Sequence, residues 1–327
     1  MSARARPSAI GPVITRYLAL KTALGRAYAI ERRVLETLET FLQNTGSAAD
    51  LTPETFTAWA QTLHHLTPTV RRNRLRIVRN LCLYRRRTEP ACFVPDLALF
   101  PAPHQPRAPY IFTPSEIVRL LRATATLAPT PECPLRPHVF RLAVVLLYTT
   151  GLRRGELLRL TLDDYARDEH VLLIHETKFH KSRWVPLSPS TTRELDGYLQ
   201  ARRRHRLSLS ATTPLLTHGA ATPRGYTGVG LGAGFRHLLM TTGIRTPDGR
   251  WPRIHDLRHT FAVQALVRWY QTGADVQAKL PLLATYMGHV SIVSTASYLA
   301  FVEPLRALAS ARFAQHYGAL VCAEGPR

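Results

Sequence analysis

The order of apolar and polar positions divides the chain before any chemistry is considered. Over residues 1–100 the apolar positions recur with the period of a helix and little else is visible. Candidate helices run from about Val13 to Tyr28, from about Ile30 to Gln43, after Thr52-Pro53-Glu54, and from Thr67-Pro68 to about Arg87. Thr52 can cap the third of these, with Pro53 at the first helical position, where a missing N–H costs nothing. Pro90, Pro95, Pro101, Pro103, Pro106 and Pro109 then crowd residues 88–110, a density no helix survives. That stretch predicts an extended linker, which divides the chain into a helical domain (1–100), a proline-rich linker (101–112) and a second domain (113–327).

The second domain opens with a helix N-terminus at Thr113-Pro114-Ser115-Glu116. After a proline-broken loop, a helix from about Val139 to Thr149 is apolar nearly all round and therefore buried. Gly151 allows a sharp turn, Arg153 follows at a helix start, and Glu156 and Leu157 should point inward. Period-two stretches at Leu160–Tyr165, His170–Thr177 and Arg183–Ser188 predict strands, the last two joined as a hairpin across Lys178-Phe179-His180-Lys181-Ser182. A helix from about Pro189 to Arg206 ends in Arg202, Arg203, Arg204 and Arg206, a patch for phosphates or solvent. Residues 210–234, rich in Gly, Thr and Pro, read as a loop. A helix beginning near Ile254 carries Leu257, Phe261, Ala265 and Trp269 at four-residue spacing as its buried stripe. Another ends at Gly288, a left-handed cap. A final amphipathic helix over 304–318 carries Leu305, Leu308 and Phe313. The fold class is thus mainly α with a small antiparallel β-sheet in the second domain.

Charge changes the picture most. Forty-three Lys and Arg against twenty-two Asp and Glu leave a net charge of +21 and a pI of about 10.8. Such an excess calls for a polyanionic partner, with nucleic acid ahead of an anionic membrane surface. A membrane surface would want a basic helix with a large apolar face, whereas here the basic residues are spread over both halves of the chain. The fourth helix carries Arg71, Arg72, Arg74, Arg76, Arg79, Arg85, Arg86 and Arg87 with no acid among them. Of these, Arg71, Arg72, Arg74, Arg76, Arg79 and Arg86 are the candidate phosphate contacts, joined by Lys181 and Arg183 at the hairpin. No apolar run approaches the ~20 residues of a membrane span, so a soluble cytoplasmic protein is expected. Cys82, Cys92, Cys133 and Cys322 have neither zinc-ligand nor disulfide-framework spacing, which predicts reduced, mostly buried thiols.

The candidate chemistry lies between Ile254 and Tyr298. His255 and Arg258, three apart, share a helix face; His289 follows Gly288, and Tyr298 comes nine residues later. A cation, two imidazoles and a phenol are the parts needed to attack a phosphodiester without a metal. No phosphate-binding glycine loop occurs, and Asp163-Asp164 reads as a turn rather than half a metal site, so no cofactor and no metal are expected. Taken singly, each residue has an ordinary packing explanation. Their co-occurrence is the signal.

With Arg153, Lys178, His255, Arg258, His289 and Tyr298 in that order, the chain resembles the tyrosine recombinase/integrase family. The matching pieces are Gly-Leu-Arg-x-x-Glu-Leu at 151–157, Thr-Lys at the hairpin, His-x-Leu-Arg-His-Thr at 255–260 and Gly-His followed by Tyr298. The resemblance implies a two-domain DNA clamp: a helical core-binding domain and a mixed α/β catalytic domain. It implies that Arg153 and Arg258 fork the scissile phosphate, Tyr298 attacks phosphorus, His255 takes the phenol proton, and His289 hydrogen-bonds the phosphate. The general acid is Lys178 or Lys181, with the threonine-flanked Lys178 favoured; Tyr286 and Tyr317 are lesser candidates for the nucleophile. It also implies double-stranded DNA as partner, a homotetramer on two sites that exchanges the C-terminal helix between protomers, room for companion recombinases, and a role in moving a genetic element as integrase or transposase. The alternatives are a type IB topoisomerase-like nicking-closing enzyme or a catalytically silent DNA-binding protein.

Overall fold

The computed structural model describes residues 8–26, 28–45, 50–103, 107–175, 182–219, 222–289, 293–300 and 310–311. The chain divides into two units, Met1–Arg107 and Ala108–Arg327. The hairpin tip with Lys178 and Lys181, Tyr317, and all of the expected final helix except residues 310–311 lie outside the described residues.

In the first unit, four helices run α1 (Gly11–Ala23), α2 (Ala29–Asn44), α3 (Pro53–Thr62) and α4 (Pro68–Arg85). Thr52 caps α3 as its hydroxyl accepts the Thr55 N–H, while the Thr55 hydroxyl accepts the Thr52 N–H; this is a capping box with threonine in place of glutamate. Leu35, Leu38 and Leu42 of α2, Phe56 and Trp59 of α3, and Leu75, Val78 and Leu81 of α4 form its core. Two expectations need correction. The proline-rich stretch is not free over 88–110: Phe93 and Phe100 lie against Phe56, with ring centroids 5.8 and 6.5 Å away. Prolines forbid a helix there but leave extended chain free to lay aromatic anchors on the core. Nor are the α4 arginines all unopposed. Arg85 is forked by Asp50 and also donates from Nε to Glu89 at 2.7 Å, and Arg72 donates to the Pro101 carbonyl at 2.5 Å. Arg76 and Arg86 are exposed, while Arg71, Arg74 and Arg79 are half-buried along the same helix.

Near the start of the second unit Phe112 is buried, its N–H held by the Thr260 hydroxyl at 3.0 Å. Its helices are α5 (Pro114–Ala123), α6 (Arg136–Thr150), α7 (Arg154–Arg159), α8 (Pro189–Arg204), α9 (Gly228–Thr242), α10 (Asp256–Gln271), α11 (Val276–Met287) and α12 (Val293–Ala300). The strands are β1 (Tyr165–Ala166), β2 (Val171–Ile174), β3 (Arg183–Pro186), β4 (Thr217–His218) and β5 (Arg224–Gly225). Strands β1, β2 and β3 pair antiparallel in that order, with Leu172 opposite Val185 and Ile174 opposite Arg183; β4 and β5 form a separate antiparallel pair. Leu172, Ile174 and Val185 face inward, as the period of two requires. At the centre, α6 buries Val139, Phe140 and the run from Leu142 to Leu147 and packs against α8 and α10. The architecture is therefore mainly helical with small antiparallel sheets. Among the described residues no helix is long and apolar enough to cross a membrane.

Several local expectations differ here. The stretch 160–163 is not a strand of the sheet; it runs beside 211–215, with Leu215 N–H on the Leu160 carbonyl at 2.7 Å. Asp164 is a turn residue, as expected, its carboxylate accepting from the Thr161 N–H at 2.7 Å. The glycine-rich segment expected as a loop becomes helical from Gly228. Thr227 caps α9, and a Cβ at Gly234 would lie 2.0 Å from the Phe140 ring, so glycine there lets α9 approach α6 closely. Arg202 belongs to no patch. It is fully buried and donates to the carbonyls of Pro214, Leu215 and Ser208 at 3.0, 3.1 and 2.6 Å, tying down the loop after α8. The buried stripe of α10 is Leu257, Ala262, Val263 and Leu266, while Phe261, Ala265 and Trp269 flank it half-buried.

Candidate active site

Five segments meet at the C-terminal end of α11. Helix α6 ends at Gly151, in the left-handed conformation (φ 61°), and the chain turns into α7 with Arg153 at its start. Arg183 opens β3. Helix α10 presents His255 at its N-cap, then Arg258 and His259. Helix α12 carries Tyr298. The last carbonyls of a helix have no partner within it and sit at the negative end of its dipole. Here arginines satisfy three of them in succession. Arg183 Nε donates to the Tyr286 carbonyl at 2.7 Å, Arg258 Nη2 to Met287 at 2.7 Å, and Arg153 Nη2 to Gly288 at 2.6 Å. A second donor of Arg258 reaches the Gly151 carbonyl at 2.5 Å, so both ends of its fork are held by backbone.

Glu156 sets the other side of this cluster. It is 2% exposed and accepts from Arg153 Nη1 at 2.6 Å, from the Arg153 N–H at 3.0 Å, and from Arg183 at 2.8 and 3.2 Å. Burial alone would push its pKa up, but hydrogen bonds from Arg183 and the Arg153 backbone outweigh that and hold it at about 2. Arg183 therefore does not extend outward from the hairpin as a surface phosphate contact. Its side chain is 11% exposed and is locked between Glu156 and the end of α11. Arg258 is buried, and its pKa falls to about 10, first by desolvation and then by Arg153, which leaves it charged at neutral pH.

Gly288 makes the close approach possible. It caps α11 at φ 66°, and a Cβ there would stand 2.8 Å from Arg183 Nη1 and 3.3 Å from Arg153 Nη1. Gly288→Ala should lower stability by about 1–2 kcal/mol through the left-handed backbone alone. It should lower the melting temperature measurably, because the guanidiniums it meets are pinned by Glu156 and cannot swing aside. An unchanged melt would mean that the cap is slack.

The phenol of Tyr298 is only 5% exposed, yet it faces these groups. Its oxygen lies 3.0 Å from Nδ1 of His259, and its ring stacks on His289 at 6.3 Å between centroids. Burial raises its pKa, while Arg258 and Arg153 draw it back. His289 shares a 2.6 Å hydrogen bond between its Nδ1 and the buried Thr295 hydroxyl. Its pKa is pushed down to about 4, first by desolvation, then by Arg258, Arg153 and Arg183. His255 keeps an open edge and meets the His259 ring edge-on at 4.7 Å. The protein packed around it, then His259 and the arginines Arg258, Arg253 and Arg153, hold it well below its ordinary value.

The structure thus brings Arg153, Arg258, His289 and Tyr298 together, with His255 one ring further out. The imidazole touching the phenol is His259, which sequence reasoning passed over. Its position beside Arg258 in His-x-Leu-Arg-His was the available signal, but only the seating of α12 distinguishes it from a packing residue. Tyr286, the competing tyrosine, stacks on Phe261 at 5.5 Å and gives its carbonyl, not its phenol, to the cluster.

Comparison with known proteins identifies the family. Residues 111–303 match the sequence model of the phage integrase family. A putative integrase/recombinase of Sinorhizobium fredii, y4rB, is 35% identical over 288 residues, covering 88% of this chain and 91% of that protein. The tyrosine recombinase XerD of Staphylococcus haemolyticus is 27% identical over 198 residues, 60% of this chain and 59% of that one. Among solved structures, the XerH site-specific recombinase has a TM-score of 0.60 at 17% identity, over 88% of this chain and 80% of its own. The Tn1549 transposon integrase has a TM-score of 0.59 at 18% identity, over 88% and 94%. The chain has the fold of a tyrosine-type site-specific recombinase, and it belongs to the phage integrase family.

Proposed function

We propose that this protein cuts and rejoins double-stranded DNA through a covalent 3′-phosphotyrosyl intermediate, in the integration, excision or transposition of a mobile element. The observation that carries this reading is the meeting of two arginines, an imidazole and a buried phenol at one helix end. Arg153 is fixed by one backbone carbonyl and Arg258 by two, so their remaining N–H groups are preorganised for the non-bridging oxygens of a phosphodiester. Charge on those oxygens grows as phosphorus becomes pentavalent, and donors fixed in advance stabilise it without reorganisation. His289, braced by Thr295, supplies a further hydrogen bond to the phosphate. Tyr298 attacks phosphorus, the 5′ oxygen departs with a proton from Lys178, and the phosphotyrosyl link keeps the energy of the broken bond for religation. Neither a metal nor a nucleotide is required by this chemistry.

Double-stranded DNA as the partner is supported by the net charge of +21 and the arginines of α4. It is supported too by relatives such as the XerH recombinase and the Tn1549 integrase, each solved with its own DNA. The working assembly in this reading is a homotetramer on two DNA sites. A duplex selected for tight binding from a randomised pool, then nicked so that the cleaved end is lost, should trap a protein–DNA adduct stable to SDS and formed equally well in EDTA. Binding to the same duplex should weaken by about 10³–10⁵ between 50 and 200 mM salt if ~6–10 phosphates are held. A strict magnesium requirement, or binding indifferent to salt, would overturn the reading.

A further inference from the structure

We infer that His259 is a further catalytic residue of this site, the group that receives the Tyr298 phenol proton. The inference rests on the strand-transfer reading above and refines it, since His255 was the acceptor expected from the sequence.

The geometry separates the three imidazoles. Only His259 has a ring nitrogen on the phenol oxygen, Nδ1 at 3.0 Å, with the two rings edge-on at 5.4 Å. For the phenol to donate, Nδ1 must be bare and the ring proton must sit on Nε2. His289 has its Nδ1 engaged with Thr295 and presents the face of its ring to the Tyr298 ring. His255 meets the His259 ring edge-on at 4.7 Å between centroids. Helix periodicity accounts for the division of labour: Arg258 and His259 are consecutive, about 100° apart around α10. Arg258 therefore reaches the end of α11 while His259 meets α12.

The surroundings keep His259 able to accept. Around it stand Arg253, His255, Asp256 and Arg258 from α10 and the turn before it, His289 after α11, and Tyr298 on α12. Desolvation first, with Arg253 and Arg258 adding to it and Asp256 opposing, lowers its pKa to about 4, so the ring is neutral at pH 7. A phosphodiester entering between Arg153 and Arg258 would bring a negative charge that offsets those cations and makes the ring a better base when it is needed. The step balances: the Tyr298 oxygen–phosphorus bond forms as phosphorus–O5′ breaks. The phenol proton passes to His259 Nδ1, and the departing 5′ oxygen takes a proton from Lys178.

The test is the single-turnover rate of adduct formation on the selected, nicked duplex. His259→Ala should slow it by about 10²–10⁴-fold, the range for a general base. His259→Asn puts an amide oxygen near the place of Nδ1 and keeps the hydrogen bond without the ability to take the proton; it should stay slow. A fluorinated tyrosine at position 298, whose phenol gives up its proton more readily, should recover much of the His259→Ala loss. Adduct formation by His259→Ala within a few-fold of wild type, rescue by His259→Asn, or no recovery with the fluorinated phenol would each overturn the inference. Melting curves and duplex binding of both variants check that they fold. Failure of the parent reading looks different: wild type binds the duplex yet forms no adduct, and the inference falls with it.

Discussion

Tyr298→Phe is expected to leave duplex binding near wild type and to reduce covalent adduct formation by at least ~10⁴-fold, the scale on which removal of a nucleophile acts. The substitution removes one oxygen from a ring that is already packed. The phenyl ring that remains would keep the stacking on His289 and its place among Val263, Leu266, Leu283 and Met287. Its folding cost is the lost contact with His259, about 1 kcal/mol for a single hydrogen bond. Loss of chemistry with binding and melting largely retained is what separates a nucleophile from a core tyrosine. Gel-shift, thermal melting and SDS-resistant adduct assays on one preparation measure all three. An adduct that persists in Tyr298→Phe moves the nucleophile elsewhere in the chain.

Glu156→Gln should be the most destabilising conservative change in the site. The carboxylate answers Arg153 and Arg183 at once, and its loss leaves the buried Arg183 guanidinium without its counter-charge. Breaking a buried ion pair from one side typically costs about 3–5 kcal/mol. The pH dependence identifies the cause. The folded pKa of about 2 lies below the ordinary 4.5, so this group's stabilisation is present above 4.5 and is lost as pH falls through 2. That gap corresponds to roughly 3 kcal/mol. His259 and His289 act in a higher window. Their pKa values are lowered from 6.5 to about 4, so the fold prefers them neutral and stability declines as pH drops from 6.5 towards 4. Denaturant melts from pH 7 to pH 2 should show both declines in the wild type and a smaller lower one in Glu156→Gln, since Asp50 and Glu194 are held down by arginines as well. A lower decline of unchanged size would assign it to those other carboxylates.

The legible parts of this protein were those carried by short-range pattern. The helices of the first unit, the all-apolar α6, the β2–β3 hairpin and the left-handed cap at Gly288 follow from periodicity, proline placement and one glycine. Arg153, Arg258, His289 and Tyr298 could be singled out because unusual residue types stood at characteristic separations. Errors came where a residue's meaning depends on a distant partner. Arg202 and Arg183 read as surface cations but are buried against carbonyls and a carboxylate. The glycine-rich stretch before Gly234 read as a loop because nothing local reveals that Phe140 awaits a helix without a side chain at that point.

By itself, then, the amino-acid order determined which segments are helical or extended, where they stop, and which reactive groups are available. What the three-dimensional packing alone decided is how those groups are arranged. Three arginines take the three closing carbonyls of α11, one carboxylate braces two of them, and the phenol oxygen lies against His259 Nδ1. The physical reason is range. Backbone propensity acts over a few neighbours, whereas the partners of a buried charge or an unmet carbonyl are chosen by whichever helix ends the core brings together.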